Sequence, residues 1–117
     1  MRNQIKYRCF AFSLKIINFL EGLPRNYIYQ TLGLQLLRSA TSIGTNITEA
    51  QAGRTKRDFI NYYHIALKST NETKYWLATF KEKLKQNTNI TSLLNEAIEI
   101  SKMIGASLIT LKKQRTF

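Results

Sequence analysis

The stretch Gln35-Leu36-Leu37-Arg38-Ser39-Ala40-Thr41-Ser42-Ile43-Gly44-Thr45-Asn46-Ile47-Thr48-Glu49-Ala50 decides the fold. Leu36, Ala40, Ile43, Ile47 and Ala50 recur at the i, i+3, i+4 spacing of a helix with one buried side. Traced back through Leu32 and Ile28, the stripe predicts a helix over about 26–51. Opposite much of that side, Gln35, Arg38, Ser42, Thr45, Asn46 and Glu49 form a polar stripe. Arg38 and Glu49 stand about 16 Å apart along an ideal helix, too far to pair with each other. The short Ser, Thr and Asn side chains between them suit either a wet face or a close helix contact with buried hydrogen bonds. Gly44 weakens the helix by about 1 kcal/mol relative to alanine and leaves room for a bend.

Three further periodic segments flank this one. Pro24, the sole proline, breaks the chain after a helix expected over about 3–22. In it, Tyr7, Phe10, Ala11, Leu14, Ile17 and Leu20 have the spacing of a buried face. Ile5, Phe12, Ile16 and Phe19 widen that stripe beyond one core-facing side, so part of this helix is expected to meet another helix or another subunit. Gly53 marks the second break. After it, Thr55 is placed to cap a third helix, over about 55–85, with Asp58 in its positive first turn. Its seam runs through Phe59, Tyr62, Tyr63, Ala66, Ser69, Thr70, Thr73, Trp76, Leu77, Phe80 and Leu84. Glu72, framed by Ser69, Thr73 and Trp76, is the expected acceptor for Arg38. With Gln35, Ser42, Asn46 and Glu49, these two make up a candidate structural polar network. After the polar run Gln86-Asn87-Thr88-Asn89, the residues Leu93, Leu94, Ala97, Ile100, Ile104, Leu108 and Leu111 define a fourth helix, over about 90–113. Short connections between long helices favour antiparallel neighbours, which gives an all-α, antiparallel up-and-down four-helix bundle filling residues 1–117 as a single domain.

Eighteen Lys and Arg against seven Asp and Glu leave a formal charge of +11 on 117 residues. That excess stores repulsion in a compact fold, and a polyanion relieves it. The basic residues run from Arg2 to Arg115 rather than forming a tail, so folding or association must assemble any positive surface. Cys9 is the only cysteine, which excludes an intrachain disulfide and a thiolate cluster and fits a reducing, cytoplasmic setting. Arg8 and Lys15 interrupt the apolar positions of the amino-terminal segment, unlike a signal peptide, and no apolar run approaches a membrane span.

Catalytic machinery is hard to assemble from this inventory. His64 is the only histidine, no paired-carboxylate motif stands out, and no Gly-rich turn follows a strand. Glu96 and Glu99 fall on the polar side of the fourth helix and read as solvated. The chain therefore reads as a non-enzyme, without metal or cofactor. Candidate phosphate contacts are Arg54, Lys56 and Arg57 at the start of the third helix, and Lys81, Lys83 and Lys85 at its far end. Lys112, Lys113 and Arg115 form a basic carboxy-terminal group. An ordinary solvated face accounts for each cluster equally well. Tyr27, Tyr29, Tyr62 and Tyr75 offer rings for base stacking, although aromatics at helical spacing more often pack.

The second helix also resembles the signature Gln-Leu-x-Arg-Ser/Ala-x-x-Ser-Ile-Pro/Gly-x-Asn-Ile-x-Glu-Ala/Gly of the four helix bundle proteins, also called 23S ribosomal-RNA intervening-sequence proteins. The third helix adds Lys56, Asp58-Phe59-Ile60, Ile65-Ala66 and Glu72-Thr73-Lys74-Tyr75-Trp76-Leu77 at the matching distance. Gly44 stands at the proline-type position. The resemblance implies a ring-like homopentamer. It also implies kinship with the accessory proteins of diversity-generating retroelements, which are basic pentamers that bind nucleic acid and a reverse transcriptase. The expectation is thus a basic, oligomeric, sequence-tolerant RNA- or DNA-binding protein, an accessory to a reverse transcriptase or RNA-containing complex. The alternative is an interaction scaffold that recruits an acidic protein partner.

Overall fold

A computed structural model describes residues 2–113, and the side chains of residues 4–113. Four helices follow one another: α1 Arg2–Glu21, α2 Tyr27–Ala52, α3 Lys56–Lys83 and α4 Asn89–Lys113. Each boundary lies within two residues of its expected place. The termini show why. Asn26 Oδ1 accepts hydrogen bonds from the amides of Ile28 and Tyr29, which would otherwise lack partners in the first turn of α2. Thr55 Oγ1 accepts from the Asp58 amide at 3.0 Å, and Asp58 places its charge at the positive end of α3. The Gly53 amide closes α2 on the Ala50 carbonyl, and the Leu84 amide closes α3 on the Phe80 carbonyl.

The helices pack in cyclic order, α1 on α2, α2 on α3, α3 on α4 and α4 on α1, in a rod of 52 × 20 × 19 Å. Every seam is antiparallel. On α2 and α3, Ser42 meets Ser69 while Ser39 meets Thr73; on α1 and α2, Gly44 faces Cys9 while Gly33 faces Leu20. Residue numbers thus rise along one helix as they fall along its neighbour. The core holds Leu36, Ala40, Ile43, Ile47 and Ala50 of α2, Tyr63, Ala66, Leu77 and Phe80 of α3, and Ile90, Ala97, Ile100 and Ile104 of α4. These are the stripes read from the sequence, although Ile28 at the start of α2 stays exposed.

Helix α1 differs from its expected orientation. Its buried face is Ile5, Cys9, Phe12, Ile16 and Phe19, whereas Tyr7 and Phe10 are 69% and 65% exposed and Leu14 and Ile17 also face outward. Both stripes carry the helical period, on nearly opposite sides, so periodicity alone does not choose between them. Packing chooses. Phe19 meets Phe80 edge-on at 5.7 Å, and Cys9 sits against Gly44, where a Cβ would just touch the Cys9 side chain. Gly44 thus lies at a helix contact, and α2 runs as one uninterrupted helix through it.

Candidate functional site

Three arrangements on this frame bear on function. The first is the polar stripe of α2 where it meets α3. Ser42 Oγ lies 2.9 Å from Ser69 Oγ, and Asn46 Nδ2 donates to the Ser42 carbonyl at 2.8 Å and to Ser42 Oγ at 3.0 Å. One turn further, the Thr73 hydroxyl lies 2.7 Å from the Ser69 carbonyl and 3.0 Å from Ser39 Oγ. Ser39, Ser69 and Thr73 are buried, and short hydroxyl side chains satisfy one another there, so the close seam costs no orphaned polar atom among the described residues. Ser42 and Asn46 thus take part in this hydrogen-bonded ladder. Ser39 and Thr73 complete it; their small size at core-facing positions beside the stripe is the sequence signal for them.

Above this ladder, Gln35, Arg38 and Glu72 line the mouth of a polar groove of about 320 Å³, floored by Ser39, Ser42 and Ser69. The expected Arg38–Glu72 ion pair does not form within the chain. Glu72 instead accepts from Trp76 Nε1 at 3.3 Å on its own helix, a local contact that needs no reach across the groove. Glu49, the last member of the stripe, lies apart from this groove. It borders an apolar groove of about 530 Å³ between α1 and α2, with Lys6, Tyr7, Phe10, Thr41, Gly44, Thr45 and Thr48 among its walls. The outward stripe of α1 thus borders an open apolar groove.

The second arrangement joins α1 to α4. Arg8 donates from Nε and Nη2 to the two carboxylate oxygens of Glu96 at 2.8 and 2.9 Å, a two-point contact, and Arg8 Nη1 reaches Met103 Sδ at 3.2 Å. Glu96 is thus not the freely solvated residue expected from its place on α4. The Arg8 hydrogen bonds hold its carboxyl below the usual carboxylate range, against the opposing effect of partial burial. Beneath this pair, burial pushes the Cys9 thiol up to about 12, which marks it as a packing group rather than a nucleophile.

The third arrangement is the distribution of charge. Antiparallel packing gathers the starts of α1 and α3 and the ends of α2 and α4 at one end of the rod. Arg54, Lys56 and Arg57 therefore share an end with Lys112, Lys113 and Lys6. Lys81, Lys83 and Lys85 lie at the other end, with Arg25; Arg115 lies outside the described residues. Along the half containing the first end, Lys6, Arg8, Arg54, Lys56, Arg57, Lys68, Lys112 and Lys113 stand against two carboxylates, Glu49 and Asp58. The other half has as many cations but five carboxylates: Glu21, Glu72, Glu82, Glu96 and Glu99. The rod is positive throughout and polarised along its length by where its acids fall.

Of the candidate stacking rings, Tyr27 and Tyr75 are exposed, whereas Tyr29 leans on Phe80 and is half-buried, as is Tyr62. Tyr75 packs edge-on against Trp76. Among the described residues, no three His, Cys, Asp or Glu side chains stand close enough to hold a metal ion, and no helix is long and apolar enough to cross a membrane.

The sequence model of the 23S rRNA-intervening sequence protein family matches residues 1–106. The fold is also similar to a solved structure from Bacteroides thetaiotaomicron, a protein with unknown function from the S23 ribosomal protein family. The two superpose with a TM-score of 0.82 at 35% sequence identity, over 92% of this chain and 98% of that one. No curated protein matches the chain.

Proposed function

The chain belongs to the 23S rRNA-intervening sequence protein family, and from that premise we propose that it is a non-enzymatic, oligomeric protein that binds RNA or DNA through the phosphate backbone with little regard for sequence. The observation that carries this reading is the charge: +11 on a chain whose rod stays net positive along both halves. Backbone phosphates release bound counterions when such a surface docks, which supplies affinity without base contacts. Sequence tolerance follows from the inventory of the surface, where Lys and Arg dominate and only Tyr27 and Tyr75 of the four candidate tyrosines stand exposed.

Association is the second part of the proposal. The outward stripe of α1, Tyr7, Phe10, Leu14 and Ile17, offers an apolar face whose first two residues line an apolar groove, the kind of surface that meets another copy. The expected assembly is the ring-like homopentamer implied by the resemblance. Such a ring carries a formal charge of about +55, and its field acts over the whole assembly. The protein then serves as an accessory to a reverse transcriptase or an RNA-containing complex in the cytoplasm. A salt titration of RNA and DNA binding, with the mass of the native assembly measured in parallel, tests the reading. Binding that falls steeply with salt supports it, and no binding at low salt defeats it in favour of a scaffold for an acidic protein.

A further inference from the structure

We propose that the polyanion contact is confined to one end of the rod, the end that Arg54 and Arg57 at the start of α3 share with Lys112 and Lys113 at the end of α4. The inference rests on the nucleic-acid reading above and goes beyond it by choosing between two basic ends that the sequence leaves equivalent. Each end displays a cluster of cations, Arg54, Lys56 and Arg57 with Lys112 and Lys113 at one and Arg25, Lys81, Lys83 and Lys85 at the other. The acids break the tie. Glu21 and Glu82 lie within the second cluster, and Glu72 and Glu99 extend the carboxylates along the same half, where the charge of Glu96 is already met by Arg8. At the first end Glu49 and Asp58 are the only carboxylates among the described residues, and Asp58 sits in the first turn of α3, where the helix's own amides draw its charge.

Both ends place carboxylates within a Debye length of their cations, but the first keeps the larger excess, with Lys6, Arg54, Lys56, Arg57, Lys112 and Lys113 against Glu49 and Asp58, where the second has Arg25, Lys81, Lys83 and Lys85 against Glu21 and Glu82. With α3 and α4 antiparallel, the Lys74–Ser101 contact sets their register, and Lys113 comes level with the second turn of α3, about one to two turns along from Arg57 and Arg54. Lys6 on α1, Arg54, Lys56 and Arg57 at the start of α3, and Lys112 and Lys113 on α4 are three separate stretches that bring cations to an end of the bundle about 20 Å across. The chemistry recognised is the phosphodiester backbone, which single-stranded RNA and duplex DNA both present.

Two variants of equal net charge test the choice. One carries Arg54→Gln, Arg57→Gln, Lys112→Gln and Lys113→Gln; the other carries Arg25→Gln, Lys81→Gln, Lys83→Gln and Lys85→Gln. All eight positions are exposed, so both variants keep the core, and helical circular dichroism with thermal melting checks that they fold. Fluorescence anisotropy with a labelled single-stranded RNA and a labelled DNA duplex of equal length reads affinity from low to moderate salt. Each lost phosphate contact costs on the order of tenfold at 0.1 M salt and flattens the log–log salt slope by about 0.7–0.9. The first variant is expected to lose at least tenfold and to flatten the slope, and the second to stay within about threefold of wild type. Equal losses in the two variants, or a larger loss in the second, overturn this inference while leaving the nucleic-acid reading standing. Absence of binding by the wild-type protein overturns both.

Discussion

Two phenylalanines two residues apart on α1 provide the sharpest check on the packing described here. Phe12 is 1% exposed and Phe10 is 65% exposed. Replacing Phe12 by alanine removes a ring from the centre of the core, and both the lost transfer free energy and the cavity left behind destabilise the fold, together by about 3–5 kcal/mol. That is a large share of the roughly 5–15 kcal/mol that holds a domain of this size together. At about 4 °C for each kcal/mol, the midpoint of thermal unfolding falls by about 12–20 °C. Phe10→Ala leaves the core intact and, under the proposed assembly through the outer face of α1, acts on association. Its effect on melting therefore grows with protein concentration, because a contact between copies stabilises by mass action. Phe12→Ala instead lowers the midpoint by a similar amount at every concentration. The assay is circular dichroism melting of both variants across a hundredfold range of concentration. If Phe10→Ala destabilises the dilute protein as much as Phe12→Ala does, the orientation of α1 is wrong and the face expected from periodicity is the buried one.

Glu96→Gln removes the carboxylate that Arg8 holds, and the stability lost at neutral pH is about 0.5–1 kcal/mol, small because both side chains remain partly exposed. The folded carboxyl titrates below its unfolded value, so the pair's contribution is present above the ordinary carboxylate range near about pH 4.3 and is lost as pH falls through the lower folded value. Urea midpoints of wild type and variant should accordingly differ at pH 7 and converge by about pH 2; a constant difference contradicts the linkage. Thr73→Val leaves Ser39 Oγ without its Thr73 contact in a buried seam and is expected to cost about 1–2 kcal/mol. Adding Ser39→Ala should recover part of that loss, and strictly additive costs in denaturant unfolding would show that the two hydroxyls do not interact. The Cys9 thiol, buried and raised to about 12, should react with a disulfide reagent at pH 8 only after denaturant unfolds the bundle; prompt labelling of the native protein would mean that α1 opens. Gly105→Ala should stabilise by about 0.5–1 kcal/mol, since a Cβ there meets nothing within 4 Å and glycine weakens a helix interior; a lowered melting midpoint would reveal a contact at that position.

The legibility of each helix in the sequence tracks how one-sided it is. Helices α2, α3 and α4 each carry one apolar stripe bounded by polar residues, and their buried faces follow from spacing alone. Helix α1 carries two. The stripe that packs, Ile5, Cys9, Phe12, Ile16 and Phe19, keeps its apolar character throughout, whereas continuing the outward stripe beyond Tyr7, Phe10, Leu14 and Ile17 arrives at Glu21. That terminal carboxylate, and Cys9 read as a small apolar residue, are the signals that separate the two faces. The hydroxyl ladder was half legible: Ser42 and Asn46 stand out on a polar stripe, while Ser39 and Thr73 hide among core positions. Glu96 was illegible because its partner lies 88 residues away on α1, a contact that exists only once the bundle has closed. The polarity of charge is likewise a property of topology, since cations are scattered along the chain and only antiparallel folding sorts the acids into one half.

Charge and association pull against each other in the proposed assembly, and the opposition connects the two parts of the function. Bringing copies together through the apolar face of α1 removes Tyr7, Phe10, Leu14 and Ile17 from water, which favours the oligomer in proportion to the area covered. It also sets bundles of like charge side by side, and their repulsion acts across any gap shorter than a Debye length of about 8–10 Å. A polyanion laid on the basic end that holds Arg54, Arg57, Lys112 and Lys113 lowers that repulsion. It therefore binds more tightly to the oligomer than to separate chains, and by thermodynamic reciprocity strengthens association by the same factor. On this reading the apolar outer face of α1 and the clustered cations of α3 and α4 are parts of one device, in which nucleic acid stabilises the assembly that binds it.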